Sequence, residues 1–528
     1  MAIVRRQVAR RFPGGLLWLL PVSAALNGMV WLQRGNTAVN HDALTYLAAS
    51  QVIAAGGWTD AAAIHPILAY PWLISLLHPL LPDWVSAGRM VSCLAVVAAV
   101  VPVYLLSRDL FGEQAARWSA LLFTVAPDTL RFSFQVIRDP LFGLFFLWFV
   151  FWGARALESG LHRHSLLAAL SALFAALIRP EGAMAFPLFV VFCLGAALLR
   201  PREWKRRLKP TVVWFASLCL VAVVARVAGP VWLSFTTRAN PYYTDYLLDL
   251  SGGKGFHNLE RIRHRLQILE QESTYEIAGE NFASLARRLI PWIFFGGMIA
   301  GCVKAFSFST CLAAGIGLSR FRCGLRHLFV LWVILGYASF IYLFVLYRDF
   351  FDTRFVYVPL AALMPWAGWG IVRTLSRLSG RRGGAMLSLT AAALVVLIPL
   401  SKSNHLFMKG PPDALVEAAA WLAGRQDLLG ARWMATDDRI PFYVGRQRLP
   451  LRNEVPCRKI FTIDYACLEE TAARQGIEIV AVYAEKGRLE GPGTLKGYEV
   501  IREFADGKRT VTVWRRSPGE RPSAQGGG

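Results

Sequence analysis

Apolar runs of roughly 16–20 residues recur along most of this sequence, and they constrain the fold more than any other feature. Inside a lipid bilayer, only α-helices and closed barrels satisfy every backbone polar group, and runs of this length suit helices. Hydrophobic residues make up 55% of the 528 residues, above the roughly 45–50% that is typical of soluble domains. The sequence therefore predicts an α-helical polytopic membrane protein.

About eleven membrane-spanning helices are expected from these runs. Their approximate bounds are Leu16–Leu32, Ala87–Leu106, Ala115–Ala126, Leu141–Ala156, Leu166–Ile178, Ala183–Leu199, Thr211–Ala225, Leu289–Cys311, Leu328–Tyr347, Phe355–Val372 and Ala385–Leu400. Residues 33–86 form a long first external loop. Prolines and histidines in its apolar stretch 64–81 favour short helices that lie in the membrane interface over a further span.

The formal net charge of +22 follows the same pattern, because the basic residues fall mostly between the apolar runs. This distribution indicates cytoplasmic loops and contacts with anionic lipids, and it excludes nucleic acid as a partner. The densest short basic loops lie at 200–209, 320–326 and 373–382. We therefore predict a multi-pass protein of the cytoplasmic (inner) membrane, with its N-terminus inside and its C-terminal region outside.

The chain divides by composition into a transmembrane domain, residues 1–401, and a polar C-terminal region. Residues 402–515 alternate helix-like and strand-like runs, which predicts a small soluble α/β domain outside the membrane. Residues 516–528 have the composition of a disordered tail. Cys457 and Cys467 are the two cysteines of this region, and whether they form a disulfide stays open.

Five ionisable residues are expected on the external face at the ends of different spans. Asp42 lies in the first external loop, and His65 lies later in that loop. Asp139 opens the fourth span, Arg179 lies between the fifth and sixth, and Arg354 precedes the tenth. Ionisable groups close to the bilayer are costly, so these positions are candidates for a functional site.

Two of the five could instead have only a structural role at a helix start. Asp42 could cap a helix that begins at Ala43, since Asp is a favoured N-cap. Asp139 precedes Pro140, a combination that is also typical of a helix start.

The three basic candidates have structural alternatives of their own. Arg179 could anchor the chain in the lipid headgroups, and Glu181 could simply hold Arg179. Arg354 could pair only with nearby acids such as Asp349 or Asp352, and His65 could be a plain interfacial residue.

The order of these features resembles the C-type membrane glycosyltransferases, a superfamily that includes protein O-mannosyltransferases and lipid A aminoarabinose transferases. The resemblance covers about residues 16–400 and is clearest over 39–182. Its elements are the acid in the first loop, Gly88-Arg89-Met90 opening the second span, the acid opening the fourth, the basic residue with Gly182, and the Arg-aromatic-x-x-x-Pro run from Arg354 to Pro359.

The resemblance implies an enzyme that transfers a sugar from a polyprenyl-phosphate carrier to an acceptor, with inversion at the anomeric carbon. It implies Asp42 as the catalytic base and Asp139 as a second carboxylate that positions acceptor or sugar. Arg179 and Arg354 then bind the lipid phosphate, together with His65, which stands where relatives often carry lysine. Tyr46, Arg138 and Glu181 are supporting residues, although Tyr46 also fits simple packing.

Two other functions remain open at this point. A polyprenyl-lipid or sugar-lipid transporter or flippase prefers ionisable groups at the bilayer midplane and a repeated half, and neither feature is evident. An inactive scaffold could bind the lipid carrier through the same cations. The sequence identifies neither the sugar nor the acceptor, which could be a lipid, glycan or protein. It contains no dedicated metal site, and a metal bridging Asp42 and Asp139 has no further support.

Overall fold

The protein is described here from a computed structural model. The structure describes residues 14–199, 208–216, 257–272, 277–319, 324–348, 351–380, 383–409, 413–429, 431–445, 465–485, 494–507 and 509–517, and the single positions 202, 204 and 219. These residues are predominantly helical, and one small sheet lies near the C-terminus.

The helices of the amino-terminal part are α1 Gly14–Arg34, α2 His41–Ala54, α3 Trp58–Ile64, α4 Ala69–Leu77, α5 Trp84–Phe111, α6 Glu113–Val125, α7 Pro127–Ser133, α8 Asp139–Ser159, α9 His162–Ile178 and α10 Ala185–Leu199. Those that follow are α11 His257–Glu272, α12 Ile277–Phe306, α13 Phe308–Leu318, α14 Leu325–Arg348, α15 Tyr357–Ser379, α16 Gly384–Lys402 and α17 Asn404–Phe407. Short 3₁₀ turns lie at His78–Leu80, Pro180–Met184 and Thr353–Val356.

Eight helical segments among the described residues are long and apolar enough to cross a membrane, as expected of a polytopic membrane protein. They are Gly14–Arg34, Trp84–Phe111, Asp139–Ser159, Pro180–Leu199, Ser284–Phe306, Leu325–Arg348, Thr353–Ser379 and Gly384–Lys402. Two further expected spans correspond to the shorter helices α6 and α9. Most of the span expected at Thr211–Ala225 lies outside the described residues.

The span expected at Leu289–Cys311 is present as Ser284–Phe306, but its C-terminal boundary is wrong because the helix breaks before Cys311. Helix α12 ends at Phe306, and Ser307 has a positive φ of 76° that no helix can continue through. The Ser307 side chain then caps α13 by accepting a hydrogen bond from the Thr310 amide. Apolarity alone does not reveal such a break, since both sides of Ser307 are hydrophobic.

The long loop between α1 and α5 folds into short helices, as predicted from its prolines and histidines. Helices α2, α3 and α4 and the turn His78–Leu80 fill most of it. Helix α4 buries Tyr70 and Ile74, while Trp72 and Leu76 remain exposed at 43% and 53%. An apolar exposed face on a short helix is the pattern expected for a segment that lies in the membrane interface.

The C-terminal region forms a small α/β unit, as the sequence predicts. Its elements are α18 Ala414–Gly424, α19 Gln426–Leu429, β1 Trp433–Ala435, α20 Arg439–Val444, α21 Tyr465–Arg474, β2 Ile479–Glu485, β3 Tyr498–Ala505 and β4 Arg509–Arg516. The strands lie in the order β1-β2-β4-β3, with β1 parallel to β2 and the other neighbours antiparallel.

Alternating side chains of β2 explain how this sheet is covered on both faces. Ile479 and Ala481 share an apolar core with α18, whereas Val480 and Val482 pack into a second core with α21. Cys467 in α21 is disulfide-bonded, whereas Cys457 lies outside the described residues.

The disordered tail was expected to begin at residue 516, and this boundary is wrong. Strand β4 extends through Arg516, which is paired in register with Tyr498 of β3. A cross-strand partner therefore orders a residue whose local composition indicates disorder. Residues 518–528 lie outside the described residues.

Candidate active site

Asp42 forms an ion pair with Arg354, although 312 positions separate the two residues. The guanidinium Nη1 donates to the Asp42 carboxylate over 2.5 Å. The Asp42 side chain keeps 46% of its surface exposed and that of Arg354 keeps 23%. Arg354 also contacts the local acid Asp352 at 3.4 Å, but its ion pair with the distant Asp42 shows that the alternative of pairing only with local acids is wrong.

Asn40, not Asp42, caps the helix that carries the acid. The Asn40 side chain accepts a hydrogen bond from the Ala43 amide over 2.7 Å, and helix α2 begins at His41. This placement leaves the Asp42 carboxylate on the first turn, pointing at another part of the chain. The alternative of Asp42 as the cap is therefore excluded by the cap geometry.

Arg179 joins two carboxylates in a cluster that is almost fully buried. It donates to Asp139 and to Glu181, the latter over 2.6 Å. The side chains of Arg179, Asp139 and Glu181 are only 7%, 3% and 8% exposed. An arginine that anchors a helix in lipid headgroups would be exposed, so that alternative for Arg179 is wrong.

Gly182 explains how Arg179 and Glu181 reach this buried position. A Cβ atom at residue 182 would lie 2.4 Å from backbone atoms of Ala175 and Ala176 in α9. Only glycine therefore allows the Pro180–Met184 turn to pack against the last turn of α9. The Gly182 amide donates to the Arg179 carbonyl over 2.9 Å, which closes the turn around the arginine.

His65 and Tyr46 lie together beside Arg138. The rings of His65 and Tyr46 meet edge to face at 5.0 Å, and Arg138 Nη1 lies 3.5 Å from His65 Nε2. Burial, reinforced by the positive charge of Arg138, lowers the pKa of His65 to about 3. His65 is thus neutral at pH 7, and its role differs from that of a cationic lysine. Burial raises the pKa of Tyr46 to about 12, so its hydroxyl stays protonated.

The Asp42–Arg354 pair and the Arg179 cluster lie close enough for the charge of one group to affect the other. Burial by itself would raise the pKa of Asp42, but Arg354, Arg138 and Arg179 together hold the pKa of this carboxyl below its ordinary value. Arg179 also lies 5.9 Å from the ring of Phe355, the residue that follows Arg354. The structure therefore brings together all eight residues that the sequence singled out. They are Asp42, Tyr46, His65, Arg138, Asp139, Arg179, Glu181 and Arg354.

Arg131 and Asp128 of α7 were missed by the sequence reasoning. Arg131 donates to the Thr353 hydroxyl over 2.8 Å and contacts Asp128 at 3.1 Å. Thr353 opens the turn that carries Arg354, so this hydrogen bond links that turn to α7. A carboxylate and an arginine three residues apart on a short helix were the available signal. Among the described residues, no cluster of three or more His, Cys, Asp or Glu suited to a metal ion was found.

A family model covers the part of the candidate site between His65 and Glu181, whereas Asp42, Tyr46 and Arg354 lie outside it. The model of the dolichyl-phosphate-mannose-protein mannosyltransferase family matches residues 64–228. No match was found among curated protein sequences.

Solved structures resemble this fold over most of its length. The oligosaccharyltransferase AglB from Archaeoglobus fulgidus, in complex with an inhibitory peptide and a dolichol-phosphate, has a TM-score of 0.55 at 13% identity. That likeness covers 88% of this chain and 69% of AglB. ArnT from Cupriavidus metallidurans, bound to undecaprenyl phosphate, has a TM-score of 0.50 at 13% identity, covering 95% and 98% of the two chains. The resemblance to the C-type membrane glycosyltransferases that the sequence indicated is therefore confirmed.

Proposed function

We propose that this protein is an inverting glycosyltransferase that moves a sugar from a polyprenyl-phosphate carrier to an acceptor at the outer face of the cytoplasmic membrane. The fold shared with AglB and ArnT supports this, because the structures of those two proteins hold a dolichol-phosphate and undecaprenyl phosphate. The sugar, hexose or pentose, and the nature of the acceptor are left open by this proposal.

One observation carries the proposal: the partly exposed ion pair of Asp42 and Arg354. A base and a phosphate-binding cation must both reach the reacting atoms, and these two groups are in contact at 2.5 Å while still accessible. Arg138 supplies a further cation beside them. Among the described residues, no ion pair within 4.0 Å joins Arg138 to a carboxylate, and its side chain lies beside His65, the Tyr46 ring and the Ile178 carbonyl.

In the proposed reaction, Asp42 accepts the proton of the acceptor hydroxyl as the oxygen attacks the anomeric carbon. A new carbon–oxygen bond forms on one face of the sugar, while the bond from the anomeric carbon to the phosphate oxygen breaks on the other. The electron pair of that bond leaves with the polyprenyl phosphate. Arg354 and Arg138 stabilise its growing negative charge, so no general acid is needed.

Donor binding also tunes the base in this scheme. A lowered pKa keeps Asp42 ionised and ready to accept a hydrogen bond, but it weakens the carboxylate as a base. A phosphate that takes over the Arg354 guanidinium relieves this pairing and moves the pKa of Asp42 upward, toward the working pH. The Asp139 side chain is only 3% exposed and pairs with Arg179, so in this proposal it holds the arginine in place and, unlike the role that the resemblance had implied, does not contact acceptor or sugar.

The test is a transfer assay with the purified full-length protein in lipid nanodiscs. Undecaprenyl-phosphate-linked mannose, glucose and arabinose serve as donors, and an envelope extract from a deletion strain of the native host serves as acceptor. We expect one donor to be consumed, with release of undecaprenyl phosphate and appearance of a new glycan by mass spectrometry.

Two outcomes would contradict the proposal. Binding of undecaprenyl phosphate with no transfer from any donor, and no glycan change in the deletion strain, would favour the carrier-binding scaffold. Movement of a labelled donor across a sealed bilayer without chemistry would favour the transporter.

A further inference from the structure

Six long-range hydrogen bonds hold the chain just before Asp42. We call residues 35–40 the approach segment, because it links α1 to the helix that carries Asp42. From the transmembrane side, Arg89 of α5 donates to the carbonyls of Gly35 and Thr37, the latter over 2.6 Å. The Asn40 side chain donates to the Val136 carbonyl over 3.3 Å.

The C-terminal domain holds the same segment from the other side. Ala38 donates its amide to Asp413 over 3.0 Å, and Val39 donates its amide to the Tyr443 hydroxyl over 3.0 Å. The Val39 carbonyl accepts from Arg439 over 3.4 Å. Both backbone groups of Val39 therefore bond to side chains of α20, a helix about 400 residues later in the chain.

The contact from Arg439 is built on a buried ion pair. Asp437 is completely buried and receives two parallel hydrogen bonds from Arg439, each of 2.8 Å, which fixes the plane of the guanidinium. The fork leaves Nη1 pointing at Val39, and the Tyr483 ring packs at 5.1 Å from the guanidinium. His41, the residue beside Asp42, lies 3.6 Å from the same Asp437 carboxylate.

From this geometry we infer that Arg439 and Tyr443 are positioning residues for the Asp42 carboxylate, and that the C-terminal domain is an integral part of the active site. This inference rests on the proposed function for the meaning of Asp42, but the contacts themselves do not. Val39 is three residues from Asp42, so a shift of the segment moves the carboxylate relative to Arg354. Reacting groups are sensitive to such shifts, since a misplacement of about 1 Å can cost about a hundredfold in rate.

The chain offers a matched control for the Asp437–Arg439 pair. Arg425 and Asp427 are also two residues apart and make two hydrogen bonds of 2.7 Å, but both side chains are about half exposed, and among the described residues neither forms a hydrogen bond or ion pair with the approach segment. Tyr443→Phe is a second test variant. It removes only the hydroxyl that accepts from Val39 and leaves the ring in the core, so folding of the domain is preserved.

The experiment compares the full-length wild type with Arg439→Gln, Arg439→Lys, Tyr443→Phe and the control Arg425→Gln. Hydrogen exchange of the peptide covering 36–46 should be about fivefold to tenfold faster in Tyr443→Phe and Arg439→Gln, with exchange in α5 and α8 unchanged. With the undecaprenyl-phosphate sugar identified by the donor panel, kcat should fall about tenfold to a hundredfold. The KM for that donor should not change, since Arg354 and Arg138 are untouched. Arg439→Lys should restore part of kcat because it keeps the charge but not the fork.

The inference is overturned if exchange over 36–46 in Tyr443→Phe and Arg439→Gln matches that of the Arg425→Gln control. It is equally overturned if exchange accelerates while kcat stays at the wild-type value. If the wild-type protein transfers no sugar from any donor, the result contradicts the proposed function and not this inference. In that case the exchange measurement alone still decides whether the C-terminal domain holds the approach segment.

Discussion

The two arginine–carboxylate groups of the site differ in how far they are open to a ligand. Arg179 is enclosed with Asp139 and Glu181, and each of these three side chains is at most 8% exposed. Arg354 and Asp42 are 23% and 46% exposed, and Arg354 is shared with Asp352. The buried group has two carboxylates to satisfy one guanidinium, so its geometry is fixed before any ligand binds. In the open pair, Arg354 can exchange the Asp42 carboxylate for the phosphate of a substrate.

This difference assigns separate tasks to residue types that look equivalent in the sequence. Breaking a buried ion pair leaves an uncompensated charge in a medium of low polarity, whereas an exposed pair is worth little to stability. We therefore expect the Arg179 cluster to be a rigid frame and the Asp42–Arg354 pair to carry chemistry and donor binding.

The largest effect is expected from Asp42→Asn. Loss of a general base lowers kcat about 10²–10⁴-fold. Donor affinity should hold or improve, because Arg354 is released from its carboxylate partner. Transfer kinetics and undecaprenyl-phosphate binding check this. Asp60→Asn, at an exposed position of the same loop, should behave as wild type. Full activity of Asp42→Asn would remove Asp42 as the base.

The next largest effect is on the free energy of unfolding, and it should differ between variants of Arg179 and Arg354. Arg179→Gln leaves Asp139 and Glu181 buried without their cation and should destabilise the fold by about 3–5 kcal/mol. Arg354→Gln should cost about 1 kcal/mol or less, yet it should abolish tight binding of undecaprenyl phosphate. Unfolding monitored by tryptophan fluorescence in nanodiscs, together with carrier binding, measures both. Equal destabilisation by the two variants would contradict the proposed difference between the buried Arg179 cluster and the open Asp42–Arg354 pair.

The smallest effect concerns His65, whose pKa is lowered to about 3 by burial and by Arg138. As pH falls below about 6.5, the unfolded chain binds a proton at this histidine and the folded chain does not. The stability that His65 contributes is therefore complete above pH 6.5 and declines on acidification, by at most about 1.4 kcal/mol per pH unit.

Unfolding midpoints between pH 7.5 and 5 test this expectation. His65→Gln should show a shallower loss of stability than the wild type, and substitution of the exposed His162 should leave the slope unchanged. Identical slopes for wild type and His65→Gln would mean that the pKa of His65 is the same in the folded and unfolded chain, so that it becomes charged in the folded protein below about pH 6.5.

The sequence by itself determined the class of fold and selected most residues of the candidate site. Only α-helices and closed barrels satisfy every backbone polar group in lipid, and apolar runs of this length suit helices, so the helices followed from hydrophobicity and length. Ionisable residues at helix ends next to the bilayer are rare and costly, which is why Asp42, Asp139, Arg179 and Arg354 could be selected without a structure. The strands of the C-terminal domain followed from short runs of branched and aromatic residues.

Only the tertiary structure decided how those residues are used. Local patterns could not exclude Asp42 as a helix cap, because the competing cap Asn40 is equally suitable by residue type. Exposure separates Arg179 from Arg354, and exposure depends on packing such as the close approach of Gly182 to α9. The bonds from α20 to Val39 join positions about 400 residues apart. Contacts between such distant positions are set by how the whole chain packs, so they leave no periodicity or spacing in the sequence from which they could be predicted.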